Sequence, residues 1–161
     1  MTKNLKTQKK ELTLCKRWKM TAFEIFDFQA PYYRDPESSA YHLIDLVRKG
    51  VSYSQFNKFA QESPFNMGEW SSYLHLSERT MLRYKKENTH FDSLQSEKIL
   101  EIIILYKKGV EVFGTQNKFN YWLDTKNLVL DQTKPKNLFD SSFGIALLNE
   151  ELSRIEYGIL A

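Results

Sequence analysis

The stretch FNMGEWSSYLHLSERTMLRYKKE, residues 65–87, decides how the chain is read. Two short runs of helical periodicity flank the turn Leu74-His75-Leu76-Ser77. The first extends from about Met67 to Leu74, with Trp70, Tyr73 and Leu74 at helical spacing, and the second from Ser77 to about Glu87. Two helices joined by three or four residues form the helix-turn-helix arrangement. Ser77 is a preferred N-cap type, and Leu76 before it with Met81 inside the helix makes a hydrophobic staple. Met81 and Tyr84 share a side suited to packing on the first helix, while Arg79, Leu82, Arg83 and Lys86 project elsewhere. A helix entering the major groove needs this layout: an apolar stripe inward, Arg for guanine edges and Lys for phosphates. Its first turn also offers free backbone N–H groups to a phosphate. The candidate DNA-binding residues are therefore Ser77, Arg79, Thr80, Arg83, Lys85 and Lys86. An ordinary helical hairpin with a solvated basic face fits the same pattern, and composition and spacing do not separate the two. The turn carries His75 where Gly is frequent, but His is enriched among non-Gly residues with positive φ.

Working outward, helical patterning surrounds this motif. Ser38 or Ser39 can cap a helix carrying Leu43, Ile44 and Val47 that stops at Gly50. Ser52 or Ser54 opens a second, with Phe56, Phe59 and Ala60, ending near Ser63-Pro64. Beyond the polar break at residues 88–92, the longest periodic stretch runs from Leu94 to Phe113 and ends at Gly114. A short helix over about Gln116–Asp124 follows, in which Trp122, bracketed by Phe119 and Leu123, reads as core. Residues 125–141 read as loop, and a last helix over about Ser142–Glu156 carries Ile145, Leu148, Leu152 and Ile155. The predicted class is all-α. Residues 1–20 read as a polar basic arm, and residues 21–36, dense in aromatics and broken by Pro31 and Pro36, as an extended segment. The predicted organisation is residues 1–39 as arm and extended segment, 40–92 as the helix-turn-helix domain and 93–161 as a C-terminal module.

The 161 residues carry a formal net charge of +3, too small to mark the whole chain as a nucleic-acid binder. That excess sits in residues 1–20, where seven basic side chains face one acid, whereas residues 41–92 hold seven basic and six acidic groups. The near-balanced motif predicts weak DNA binding without a second subunit or the basic arm. The single cysteine, Cys15, forms no internal disulfide framework and points to a reducing compartment. The run Ile102-Ile103-Ile104-Leu105-Tyr106 is far below the roughly 20 residues of a membrane helix. Lys16, Arg17 and Lys19 interrupt the position of a signal-peptide core. These features read as a cytoplasmic protein without membrane association.

No constellation for catalysis, metal or cofactor is visible. His42, His75 and His90 fall on three segments, Cys15 is remote from all of them, and the six glycines are scattered singly. Glu150-Glu151 and Glu97/Glu101 read as solvated helix faces. The C-terminal Ile159, Leu160 and Ala161 are apolar where chain ends are normally polar and frayed, so they either fold back or await a partner.

Three pieces in order resemble one family. Leu76-Ser77-Glu78-Arg79-Thr80-Met81, followed by Arg83 and Lys85-Lys86-Glu87, is similar to the recognition-helix stretch of Xre/MbcA/ParS-type antitoxins. Glu97-Lys98-Ile99-Leu100 leading into Val110-Glu111-Val112-Phe113-Gly114, then Phe119-Asn120-Tyr121-Trp122-Leu123, resembles their toxin-binding domain. Leu152-Ser153-Arg154-Ile155-Glu156-Tyr157-Gly158-Ile159-Leu160-Ala161 resembles their C-terminal signature. The resemblance covers about residues 40–161. It departs at Asn88, where many relatives carry Gly, and is loose around Pro135–Phe139.

The resemblance implies an antitoxin of a type II toxin–antitoxin pair, without enzymatic activity or cofactor. The implied partner is a RES-domain toxin that consumes NAD and whose active site the antitoxin occludes. The operon's own promoter is implied as a DNA target for autorepression, and a homodimer is expected, since it would set two recognition helices on a palindromic half-site pair. Arg154, Glu156, Tyr157, Gly158, Ile159, Leu160 and Ala161 would then form the toxin-binding surface. The alternative is a free-standing helix-turn-helix regulator whose C-terminal module merely dimerises.

Overall fold

The structure, a computed structural model, describes residues 36–158. The predicted arm and extended segment lie outside the described residues, apart from Pro36 to Ser39. Among the described residues the fold is all-α: α1 (Pro36–Lys49), α2 (Tyr53–Glu62), α3 (Met67–Tyr73), α4 (Glu78–Glu87), α5 (Ser93–Phe113), α6 (Gln116–Asp124) and α7 (Ser142–Glu156). A short 3-10 turn, Pro135–Leu138, interrupts the loop between α6 and α7.

Local chemistry sets most of these boundaries. Ser52, Asn66 and Asp92 each accept from the backbone N–H three residues on, and Gln55, Glu69 and Gln95 return the bond to the cap backbone. These capping boxes satisfy two otherwise orphaned donors apiece. Ser77, Thr115 and Ser141 cap α4, α6 and α7 with a single side-chain bond. Asn88 (φ 45°) and Gly114 (φ 77°) end α4 and α5 in the left-handed region that is a common helix stop. The expected cap at Ser38 or Ser39 is corrected: α1 begins at Pro36. Proline lacks the N–H that a first helical residue cannot bond anyway, and its fixed φ suits that position.

The core is a chain of aromatic rings. Trp70 of α3 is enclosed by Phe56, Phe59, Phe65 and Tyr73, all edge-on, with centroids 4.9–6.3 Å away. Phe59 and Phe65 then reach Tyr106 of α5, whose ring meets Phe119 of α6 at 5.2 Å. Edge-to-face pairs add about 0.5–1.5 kcal/mol each beyond area burial. The buried Tyr106 hydroxyl donates to Asn120 Oδ1 at 2.6 Å, and burial pushes its pKa up to about 12. Gly109 lies directly beneath the Phe119 ring, where a Cβ would collide with it. That contact lets α6 fold tightly onto α5.

Helix α5 is the centre of the molecule, packed against α1, α6 and α7. Its N-terminal half also closes the helix-turn-helix unit. The Val51 N–H donates to the buried Ser96 Oγ at 2.9 Å, and the Phe91 N–H to the Val51 carbonyl at 2.8 Å. The Tyr53 N–H meets the Thr89 carbonyl at 2.9 Å. The loop entering α2 is thereby paired with the loop leaving α4.

Candidate functional site

The turn between α3 and α4 is built as the motif requires. His75 takes φ 52°, and the Leu76 N–H returns to the Ser71 carbonyl at 2.9 Å, reversing the chain between the helices. Ser77 Oγ accepts from the Thr80 N–H at 3.1 Å and lies 2.9 Å from Thr80 Oγ1. Met81 is sealed in the core, and Leu76 packs against the same cluster. Tyr84 sits edge-on to Phe91 at 5.3 Å and packs against the same cluster.

The six sequence-selected residues divide once α4 is in place. Arg79, Arg83, Lys85 and Lys86 are all exposed on α4, and none has an ion-pair partner among the described residues. The Arg83 guanidinium lies 5.8 Å from the Tyr84 ring centroid, which steadies its stem against the helix. The hydroxyls of Ser77 and Thr80 are instead engaged with each other and with the cap. Sequence reasoning passed over Glu78. Its carboxylate stands beside Gly68, 3.2 Å from where a Cβ would be, and so lies over the first turn of α3. A negative charge there is favoured by the helix dipole.

The second candidate surface is α7 and the residues after it. Ile145, Leu148 and Leu152 face the core. Lys108 of α5 fixes α7 by donating to Asn149 Oδ1 at 2.6 Å, the Asn149 carbonyl at 3.2 Å and Ser153 Oγ at 2.7 Å. Of the sequence-selected tail, Arg154 is exposed and pairs with Glu151 at 3.5 Å, Glu156 is half-buried, and Tyr157 is 72% exposed. Gly158 turns the chain with φ 65°. Ile159, Leu160 and Ala161 lie outside the described residues. One feature corrects the sequence expectation and one is not anticipated by it. Glu151 is buried rather than solvated, and Phe143 (91% exposed) and Leu147 form an apolar pair one turn apart on the outer side of α7.

A clasp ties the helix-turn-helix to the end of α6 and to the loop before α7. Lys136 Nζ lies 2.9 Å from Glu69 Oε1 on α3 and 2.8 Å from Asp124 Oδ1 at the end of α6. Its hydrogen bond to Asp124 raises the Lys136 pKa and holds the Asp124 carboxyl below the usual carboxylate range. The Tyr73 hydroxyl donates to the Lys136 carbonyl at 2.9 Å, and His75 Nε2 lies 3.1 Å from the Asp140 carbonyl. Burial, then the charges of Glu69, Asp124 and Asp140, push the Tyr73 phenol well above its ordinary value. Among the described residues, no three His, Cys, Asp or Glu side chains converge as a metal site. None of the described helices is long and apolar enough to cross a membrane.

A helix-turn-helix in an all-α body that also presents the exposed end of a clamped helix has the parts of a two-module interaction protein. Its family follows from two matches in chain order. An antitoxin Xre-like helix-turn-helix domain matches residues 42–103, and the antitoxin Xre/MbcA/ParS C-terminal toxin-binding domain matches residues 108–158. Together they take in 113 of the 161 residues, and the chain belongs to the Xre-type antitoxin family. It is also similar to an antitoxin Xre of Photorhabdus laumondii subsp. laumondii, 23% identical over 127 residues. That alignment covers 78% of this chain and 86% of the relative.

Proposed function

We propose that this antitoxin neutralises a RES-domain toxin that consumes NAD, by laying the end of α7 and the residues after it across the toxin's active site. Arg154, Glu156, Tyr157, Gly158, Ile159, Leu160 and Ala161 make the covering surface. The supporting observation is that Arg154, in the last turn of a helix clamped to α5 through Lys108, and Tyr157, its C-cap, stand exposed inside the segment matching a toxin-binding domain. A clamped helix presents its end with little ordering cost on binding. Arg and Tyr are also types enriched at interface hot spots.

The same protein acts in the cytoplasm as a homodimer that represses the promoter of its own operon. Arg79, Arg83, Lys85 and Lys86 contact DNA, with the first turn at Ser77 and Thr80 set against a phosphate. Two recognition helices would sit about 34 Å apart, one DNA turn.

The test is co-expression with the RES-type gene expected beside this one. Cells making the toxin alone should stop growing as their NAD falls, and the full antitoxin should restore both. Growth arrest that persists beside a well-expressed, folded antitoxin would overturn the reading.

A further inference from the structure

The large apolar side chains of α4 divide into two groups. Met81 is sealed in the core and Tyr84 is half-buried, but Leu82 stands 56% exposed. It projects among cations: Arg79 lies one turn before it, Arg83 beside it, and Lys85 and Lys86 one turn after, all exposed. A leucine in such surroundings is badly matched to an apolar protein surface. Seating one there would strip water from four cations and leave them unpaired. The major groove suits both kinds of group at once. Its walls are phosphates, and its floor carries apolar C5-methyl groups wherever thymine occurs.

We infer that Leu82 is a specificity-determining residue, reading the C5-methyl of thymine between bases or phosphates held by Arg79, Arg83 and Lys86. The inference rests on the DNA-binding reading above and adds to it an apolar element of sequence recognition. The cations supply attraction that falls with salt, whereas a buried methyl supplies discrimination that does not depend on salt.

The test uses the full chain and one promoter fragment, the stretch immediately upstream of its own gene, amplified with dTTP or with dUTP. Such DNA carries no methylated cytosine, so the two duplexes differ in thymine methyls alone. Affinities of the wild-type protein and Leu82→Ala are compared by gel shift at two salt concentrations. Alanine is the strongest helix former, so truncation at this exposed site leaves α4 intact, and thermal melting checks this.

The wild-type protein should favour the thymine duplex by about fourfold per recognition helix, and by about fifteenfold where two helices engage. In Leu82→Ala this preference should fall to about one, with the salt dependence unchanged. The double comparison removes any effect of uracil on DNA shape, because both proteins meet the same two duplexes. DNA binding with equal affinity for both duplexes, or a preference surviving in Leu82→Ala, overturns the inference and leaves the repressor reading standing. Failure to shift either duplex at low salt overturns the repressor reading and this inference with it.

Discussion

Arg79 and Arg83 leave α4 one turn apart, exposed and without carboxylate partners among the described residues, so their donors are available to a ligand. Replacing either by Ala should cost about 1–3 kcal/mol on the operator where it binds a guanine edge bidentately. The check is competition binding against a set of single-base operator variants. A loss confined to one base position marks base reading, and an equal loss on every sequence marks a phosphate contact. These cations are legible in the sequence because the Ser77 cap and the inward Met81 fix the helix phase. The hydroxyls of Ser77 and Thr80 illustrate what residue type alone does not tell, since both are already engaged in the N-cap. The pair Glu150-Glu151 shows the same limit. Adjacent helical residues point about 100° apart, so one of the two can face the core while the other faces solvent. Glu151 turns inward and keeps Arg154 as its partner one turn on. Phe143 has no sequence signal that separates it from Ile145 until the packing face of α7 is known.

At the scale of elements, the helices are legible where a cap, a left-handed stop and an apolar period agree. Ser52, Ser77, Asn88 and Gly114 each mark an observed boundary. The start of α1 is not legible in the same way, because Pro36 reads as a breaker and serves as the first helical residue. The role of α5 is hidden for a different reason. Its periodicity shows a helix but not which neighbours it serves. Tyr106 completes the ring cluster around Phe59 and Phe65, and Ser96 takes the Val51 N–H. The helix that opens the expected C-terminal module therefore also finishes the core of the helix-turn-helix. A fragment ending at residue 92 should then fail to fold cooperatively, losing several buried side chains at about 1.5–3 kcal/mol each. Circular dichroism and thermal melting of residues 1–92 give the check. A sharp unfolding transition in that fragment would show that α2–α4 carry a sufficient core of their own.

At the scale of the molecule, a net charge of +3 says little until it is located. The helix-turn-helix region is nearly balanced, and its cations matter because α4 gathers four of them on one exposed helix. The helix-turn-helix and α7 are parts of one body. The Lys136 clasp and the Tyr73–Phe139 ring contact, at 5.6 Å, tie α3 to the end of α6 and to the loop that leads into α7. The central claim is neutralisation by stoichiometric covering of the toxin's NAD site. Its most direct test is titration of the purified RES-domain toxin with this protein while NAD consumption is followed. The account predicts a linear fall to an equivalence point at a fixed molar ratio. It also predicts that a chain truncated after Arg154, still helical by circular dichroism, leaves NAD consumption unchanged. Full neutralisation by the truncated chain, or undiminished NAD consumption in excess full-length protein, would contradict it.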